Sequence, residues 1–338
     1  MGSAIRIGVV GAGYWGPNLI RNCRELGVLH SVCDANPAAL QAVRDQYPEV
    51  ATTQSFDDLL GSSVDAVVIA TPAQLHSSMT LAALAAGLHV FVEKPLALTV
   101  ADGETVAAAA ERAGLQVFVG HVLLYHPAVK RMRSLIDEGA IGDVWHVRSR
   151  RLSLGKLRAH ENVWWSFAPH DVALVLALMK SEPLAAHGAH AHGRPSGTAD
   201  LTYADFHFSG ERSAHIEVCW LDPQKTARLD VFGSRGVATL EDSRAGSVLT
   251  ITKCGPRTDQ GHELEVWRED PLRVDVPAGE PLKAELLAFL AAIDQGHNAE
   301  TDAREGLAVL RALAMVDAEK PAASAGRPLK VLHPVAAP

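Results

Sequence analysis

Short β-branched apolar runs alternate with stretches of helical period over the first 120 residues, and that alternation predicts a parallel sheet covered on both faces. Residues 6–12 form the first run, and residues 17–26 take a helical pattern with Pro17 in the first turn. Strands are expected at Leu29–Cys33, 65–70, 89–92 and 116–120, with helices over Pro37–Gln46, 75–86 and Val100–Ala113. Beyond residue 121 the period changes. Residues 143–154, 201–208, 213–220, 226–232 and 237–240 read as strands separated by Gly, Pro and Asp turns, the spacing of an antiparallel sheet. Residues 172–179 read as an apolar helix, and Pro281–Gln295 and 303–317 as two more. Residues 319–338, rich in Ala and Pro, read as a loosely held return to the surface.

A length of 338 residues is near the limit for one core, so two packed units are expected. With 48% hydrophobic and 21% charged residues the chain has the balance of a folded enzyme rather than a disordered or coiled-coil protein. Its net charge of −8 supplies no basic field for a polyphosphate backbone, which argues against nucleic acid as a partner. No apolar stretch approaches the roughly 20 residues of a bilayer span, so no membrane association is expected. A strand-like segment begins within a few residues of Met1, with no signal-peptide pattern, and the expected location is the cytoplasm. Cys23, Cys33, Cys219 and Cys254 form no CxxC pair and read as reduced thiols.

The candidate chemistry sits at the carboxyl ends of the predicted parallel strands. Gly11-Ala12-Gly13-Tyr14-Trp15-Gly16 follows a strand and opens a helix. In that context Gly11 permits the turn, Gly13 lets the backbone approach a pyrophosphate, and Gly16 allows close helix packing, with free N–H groups facing the phosphates. Asp34 ends the second strand, where a carboxylate accepts the adenosine ribose hydroxyls and repels a 2′-phosphate. NAD is therefore expected over NADP. Ala70-Thr71-Pro72 and Glu93-Lys94-Pro95 end two further strands at the same edge. Glu93 and Lys94 read either as a surface ion pair or as a charged group presented to the nicotinamide.

Together these three motifs, with His76 downstream of the second and Ala86-Gly87-Leu88-His89-Val90 leading into the third, resemble the glucose-fructose oxidoreductase / inositol dehydrogenase / rhizopine catabolism (Gfo/Idh/MocA) family. The resemblance implies an α/β chain: an N-terminal Rossmann dinucleotide-binding domain, here residues 1–121, and a C-terminal α+β domain, residues 122–338, with a large, mostly antiparallel open sheet for substrate binding and oligomerisation. It implies NAD-linked chemistry at a secondary hydroxyl of a sugar or cyclitol. It also brings Tyr14, Trp15, Ala70, Thr71, Pro72, His76, Glu93 and Lys94 into the cofactor set with Gly11, Gly13, Gly16 and Asp34.

Taking hydride from a carbinol carbon needs a base for the hydroxyl proton and a positive group for developing alkoxide charge. Lys94 and His170 are the candidates. The family places its catalytic histidine in the stretch that holds His170, which stands just before the apolar run 172–179 and is expected at a helix entrance, with an imidazole titrating near neutrality. Many members carry Asp four residues before this histidine; here that position is Ser166. The Ser-Phe-Ala-Pro-His-Asp version, with Tyr14-Trp15 in the glycine loop, is more similar to members of nucleotide-sugar and amino-sugar biosynthesis than to those of inositol catabolism. Leu123-Leu124 likewise stands where relatives often carry arginine.

The expected substrate contacts are Lys94, His121, Tyr125, Arg148, Arg150, Trp165 and His170. Arg148, Arg150, Arg151, Lys156 and Arg158 make a local basic run suited to a diphosphate or carboxylate, or equally to an oligomer contact. Period two places Arg148 and Arg150 on one face of a strand and Arg151 on the other. His187, His190 and His192 lack an acidic or Cys partner at ligand spacing, and no metal is expected. The expected function is an NAD-dependent sugar dehydrogenase, reacting at a ring position such as C3 and assembled as a homodimer or homotetramer through the C-terminal sheet. The alternatives are an inositol or cyclitol dehydrogenase, an NAD-dependent glycoside hydrolase and a non-catalytic NAD-binding sensor.

Overall fold

Two sheets organise the chain in the computed structural model, which describes residues 5–318 apart from 155–156, 158–160, 195–197, 244–245 and 260–262. Lys156, Arg158 and the expected C-terminal return at 319–338 lie outside the described residues. The first unit runs β1 Ile7–Val10, α1 Gly16–Glu25, β2 Leu29–Cys33, α2 Pro37–Gln46, β3 Ala51–Thr53, α3 Phe56–Leu60, β4 Ala66–Ile69, α4 His76–Ala85, β5 His89–Glu93, α5 Val100–Ala113 and β6 Val117–Gly120. Its strands pair in parallel in the order β3-β2-β1-β4-β5-β6. Strands β1, β4 and β6 are buried at every position, which is why they read as unbroken apolar runs rather than alternating ones. The order reverses between β1 and β4, so a crevice opens at their carboxyl ends. β3 and α3 are short and went unread in the sequence.

The second unit contains α6 Pro127–Asp137, β7 Val144–Leu152, α7 Val163–Met179, β8 Ala185–Ala191, β9 Leu201–His207, β10 Ser213–Cys219, β11 Thr226–Gly233, β12 Gly236–Ser243, β13 Gly246–Asp259, β14 Glu263–Arg268 and β15 Leu272–Val274. Its strands join in one sheet ordered β14-β13-β12-β11-β7-β10-β9-β8, with β15 on β13. Only the β7–β10 pairing is parallel among the described strands. The large, mostly antiparallel sheet is thus present. One face packs on α7 through Val147, Ala204, Phe206, Ala214, Ile216, Val218 and Val231, all essentially inaccessible. Helices α8 Pro281–Gln295 and α9 Ala303–Ala318 then return over the first unit, α9 against α5 and α8 against α1.

Helix α7 differs from expectation in where it starts. It begins at Val163, capped by the Asn162 side chain, which accepts from the Trp165 N–H at 2.9 Å. Pro169, which reads as a break, lies inside it. His170 is therefore in the body of a helix rather than at its entrance. All four cysteines are free. No helix of the described residues is long and apolar enough to cross a membrane, and no group of three or more His, Cys, Asp or Glu among them is arranged to hold a metal.

Candidate active site

The β1–α1 turn has the shape of a phosphate cradle. Gly11 adopts φ +97°, and a Cβ there would stand 2.6 Å from the Ala70 carbonyl oxygen. At Gly16 a Cβ would collide with the Gly11 carbonyl, so only glycine lets α1 start this close to β1. Gly13, by contrast, faces open space, which leaves its backbone approachable from outside. No side chain caps α1 and no acidic residue stands in its first turn, so the turn presents uncompensated N–H groups to an anion. Asp34 reaches back to this loop: one oxygen accepts from Ala12 N at 2.6 Å and the other from Asn36 N at 2.7 Å. These residues fit a dinucleotide.

Next to the cradle lies a cavity of about 300 Å³ lined by Tyr14, Trp15, Ala70, Thr71, Pro72, His76, Glu93, Lys94 and His170 from the expected set. Ala73, Pro95, Val122 and Glu161 complete its wall. Strand ends β4 and β5 supply one side, α7 the other. Lys94 Nζ donates to the Ser166 carbonyl at 3.2 Å. The reason is local: Pro169 has no N–H for the Trp165 carbonyl four residues back, so this turn of the helix loosens and an outside donor can approach the neighbouring Ser166 carbonyl. Lys94 is thereby held across from His170 on the same helix.

His170 is the group whose chemistry departs most from expectation. Its Nδ1 is buried with no hydrogen-bond partner among the described residues. Burial, and then the nearness of Lys94, Arg151 and His121, hold its pKa well below the ordinary imidazole value. It stays neutral at neutral pH, in the form that accepts a proton. Glu93 shifts the other way, raised by burial, while the Trp15 indole donates to its Oε1 at 2.5 Å. His76 sits beneath the cavity with Nδ1 2.7 Å from the Pro95 carbonyl and Nε2 2.9 Å from that of Thr71, and burial lowers its pKa. A neutral ring donates to only one of the two, yet the contacts brace the ends of β4 and β5 together.

Five expected substrate contacts are placed elsewhere. Tyr125 is in the core, its ring against Phe118 and its hydroxyl 3.1 Å from Thr301 Oγ1, because the segment after β6 turns inward under α8. Trp165 points away toward α9, its indole donating to Asp317 at 2.5 Å. Arg148 and Arg150 occupy the sheet face opposite α7. Arg148 bonds Asp230 at 2.8 Å and lies over Phe232, and Arg150 bonds Glu217 at 2.7 Å. Period two separates them from Arg151 as expected, but Arg151 is the one on the α7 side, gripping Asp171 at 2.7 Å, while Ser149 donates to the same carboxylate. His121 is buried behind the cavity, its Nδ1 2.7 Å from Glu305. Glu161, on the cavity wall, was missed, since no local motif marks it. Arg151 and Asp171, read only as part of the basic run and as the neighbour of His170, are paired by the packing of α7 on β7.

The chain matches the model of the oxidoreductase family with an NAD-binding Rossmann fold over residues 5–121, and that of the GFO/IDH/MocA C-terminal domain over residues 129–239. It is 26% identical to UDP-N-acetylglucosamine 3-dehydrogenase of Acidithiobacillus ferrooxidans over 92% of this chain and 96% of that one. The solved structure of that enzyme superposes with a TM-score of 0.81. A crystal structure from Magnetospirillum magnetotacticum MS-1 is 31% identical, with a TM-score of 0.79 over 93% of this chain and all of its own. Identity to 2,7-anhydro-N-acetylneuraminate hydratase of Escherichia coli is 28%, over 63% of this chain and 61% of the hydratase.

Proposed function

From a chain that belongs to the GFO/IDH/MocA family of NAD-binding oxidoreductases, we propose an NAD-dependent dehydrogenase acting on a secondary ring hydroxyl, at C3, of a nucleotide sugar or amino sugar. The observation that carries this reading is the pairing of Lys94 and His170 across one cavity beside the glycine cradle. Gly11, Gly13, Gly16, Asp34, Thr71 and Glu93 would hold NAD, which when bound supplies the two-electron acceptor. His170, neutral at working pH, takes the hydroxyl proton. Lys94 meets the negative charge that grows on the oxygen as the proton leaves. The choice of a nucleotide-linked sugar is supported by the UDP-N-acetylglucosamine 3-dehydrogenase likeness over nearly the whole chain. The outward arginine face, with exposed Trp145 and Tyr203, is assigned to contact between copies of the chain rather than to substrate.

Incubating the protein with NAD and a panel of UDP-linked, amino and simple sugars tests the reading. Reduced cofactor should accumulate together with a ketosugar. The hydratase likeness keeps a second reading in view, in which substrate is consumed with no net reduced cofactor.

Asp34 decides the cofactor. Its carboxylate, pinned at the end of β2 by Ala12 and Asn36, stands against a 2′-phosphate, so NAD should bind at least about tenfold more tightly than NADP. Titrating both into the protein by tryptophan fluorescence checks this, and Asp34→Ala should collapse the preference. Equal affinities in the unaltered protein would remove Asp34 from the ribose site.

A further inference from the structure

Behind Lys94 the fold gathers ionisable side chains that hydroxyl oxidation at the cavity does not itself require. Glu93 lines the cavity, and its carboxylate rests on Gly120 of the neighbouring strand, where a Cβ would lie 3.1 Å from Oε2. Gly120 runs directly into His121, which is 1% exposed and whose Nδ1 is 2.7 Å from Glu305 Oε2. Glu305, in the first turn of α9, keeps its side chain 18% exposed, so this end reaches solvent. From α8, Glu285 enters the same region fully buried. Glu93 at the end of β5, Lys94 just after it, His121 after β6, Tyr125 beyond it, Glu285 on α8, Glu300 before α9 and Glu305 on α9 are the titratable groups that face one another here.

Four polar atoms in this cluster have no hydrogen-bond partner among the described residues: His121 Nε2, Glu305 Oε1 and both oxygens of Glu285. Apolar side chains of the same volume would stabilise the core better than buried carboxylates set against each other. Burial, and then the charges of Glu93 and Glu305, push the Glu285 carboxyl well above its ordinary value, which favours its neutral acid form. Such groups are satisfied by shared protons or bridging water, and their cost points to use.

We propose that Glu93, His121 and Glu305, with Glu285 beside them, form an internal proton relay running from the cavity to the surface at Glu305. The proposal rests on the dehydrogenase reading for the source of the proton. On oxidation the substrate O–H bond breaks and its electron pair becomes the second bond of the new carbonyl. The carbon-bound hydrogen leaves with its own pair to the two-electron acceptor. The proton passes to His170, then to the Glu93 carboxylate at the cavity wall, through the His121 imidazole to Glu305, and out. Glu305 is a positioning and relay residue; it touches no reacting atom.

Glu305→Gln tests the idea, because the amide keeps the shape and can accept from His121 but cannot take up a proton. With a substrate in hand, kcat should fall about tenfold or more while KM stays the same. The solvent isotope effect should grow, added imidazole should restore turnover, and Glu305→Asp should retain more activity than Glu305→Gln. Normal kcat in Glu305→Gln overturns the relay. So does a slow variant that imidazole does not rescue and Asp does not improve, which makes Glu305 a brace. Infrared titration of the cofactor-free protein gives a readout independent of turnover. A neutral carboxyl band at neutral pH should vanish in Glu285→Gln, and the Glu93 band should titrate differently in Glu305→Gln. No neutral carboxyl band, or an unmoved Glu93 band, overturns the relay even where no sugar is oxidised; inactivity of the unaltered protein on every sugar counts against the dehydrogenase reading alone.

Discussion

Lys94→Ala is expected to leave the fold and NAD binding intact while lowering kcat by about 10²-fold or more, the scale for removing one preorganised electrostatic stabiliser. Lys94 lies at the open edge of β5 and is only half-buried, so its loss leaves no core cavity. The variant does lose the bond from Nζ to the Ser166 carbonyl, which ties β5 to the loosened turn of α7. Circular dichroism and cofactor titration should match the unaltered protein; the turnover assay should not. Lys94→Arg is expected to fail as well, because a planar fork cannot replace a compact ammonium beside the reacting oxygen. Near-normal turnover in Lys94→Ala would end the assignment.

For His170→Asn the expected result is loss of about 10²- to 10⁴-fold in kcat together with loss of the acid limb of its pH profile. Burial, and then Lys94, Arg151 and His121 nearby, favour the neutral ring, so the folded-state pKa lies below the ordinary imidazole value of about 6.5. The base form is then populated at neutral pH and is lost only as pH falls well into the acid range. Turnover by the unaltered protein should be flat near neutrality and should decline only below the pH where a free imidazole titrates. Should His170→Asn keep both rate and limb, the proton goes to Lys94 or to Tyr14 in the cavity wall, and the roles reverse.

The parallel sheet was legible because its strands are buried on both faces, and continuous runs such as Ala66–Ile69 leave little room for another reading. The glycine turn was legible because each glycine answers a steric demand of β1 packing on α1. Helix α7 was harder. It is buried almost all round, so Trp164, Trp165 and Phe167 show no polar face to mark a helix, and Pro169 reads as its boundary. Strand β8 was missed since Ala185–Ala191 is built of Ala, His and Gly, poor strand formers tolerated at a sheet edge. The arginines show a further limit: period two separates Arg148 and Arg150 from Arg151 but does not say which face meets α7. Glu285 and Glu305 carried no signal at all, since they meet Glu93 and His121 only through the return of α8 and α9 over the first unit.

Net transfer of hydrogen from a ring carbon to the cofactor is the central claim, and isotopic labelling tests it most directly. A UDP-linked amino sugar carrying deuterium on C3 is incubated with the protein and NAD, and the reduced cofactor and sugar product are analysed by mass spectrometry. The account predicts deuterium in the reduced cofactor in one-to-one proportion with ketosugar. Deuterium found back in the sugar product, with no labelled reduced cofactor, would contradict it and assign the cavity to chemistry that uses NAD only in passing.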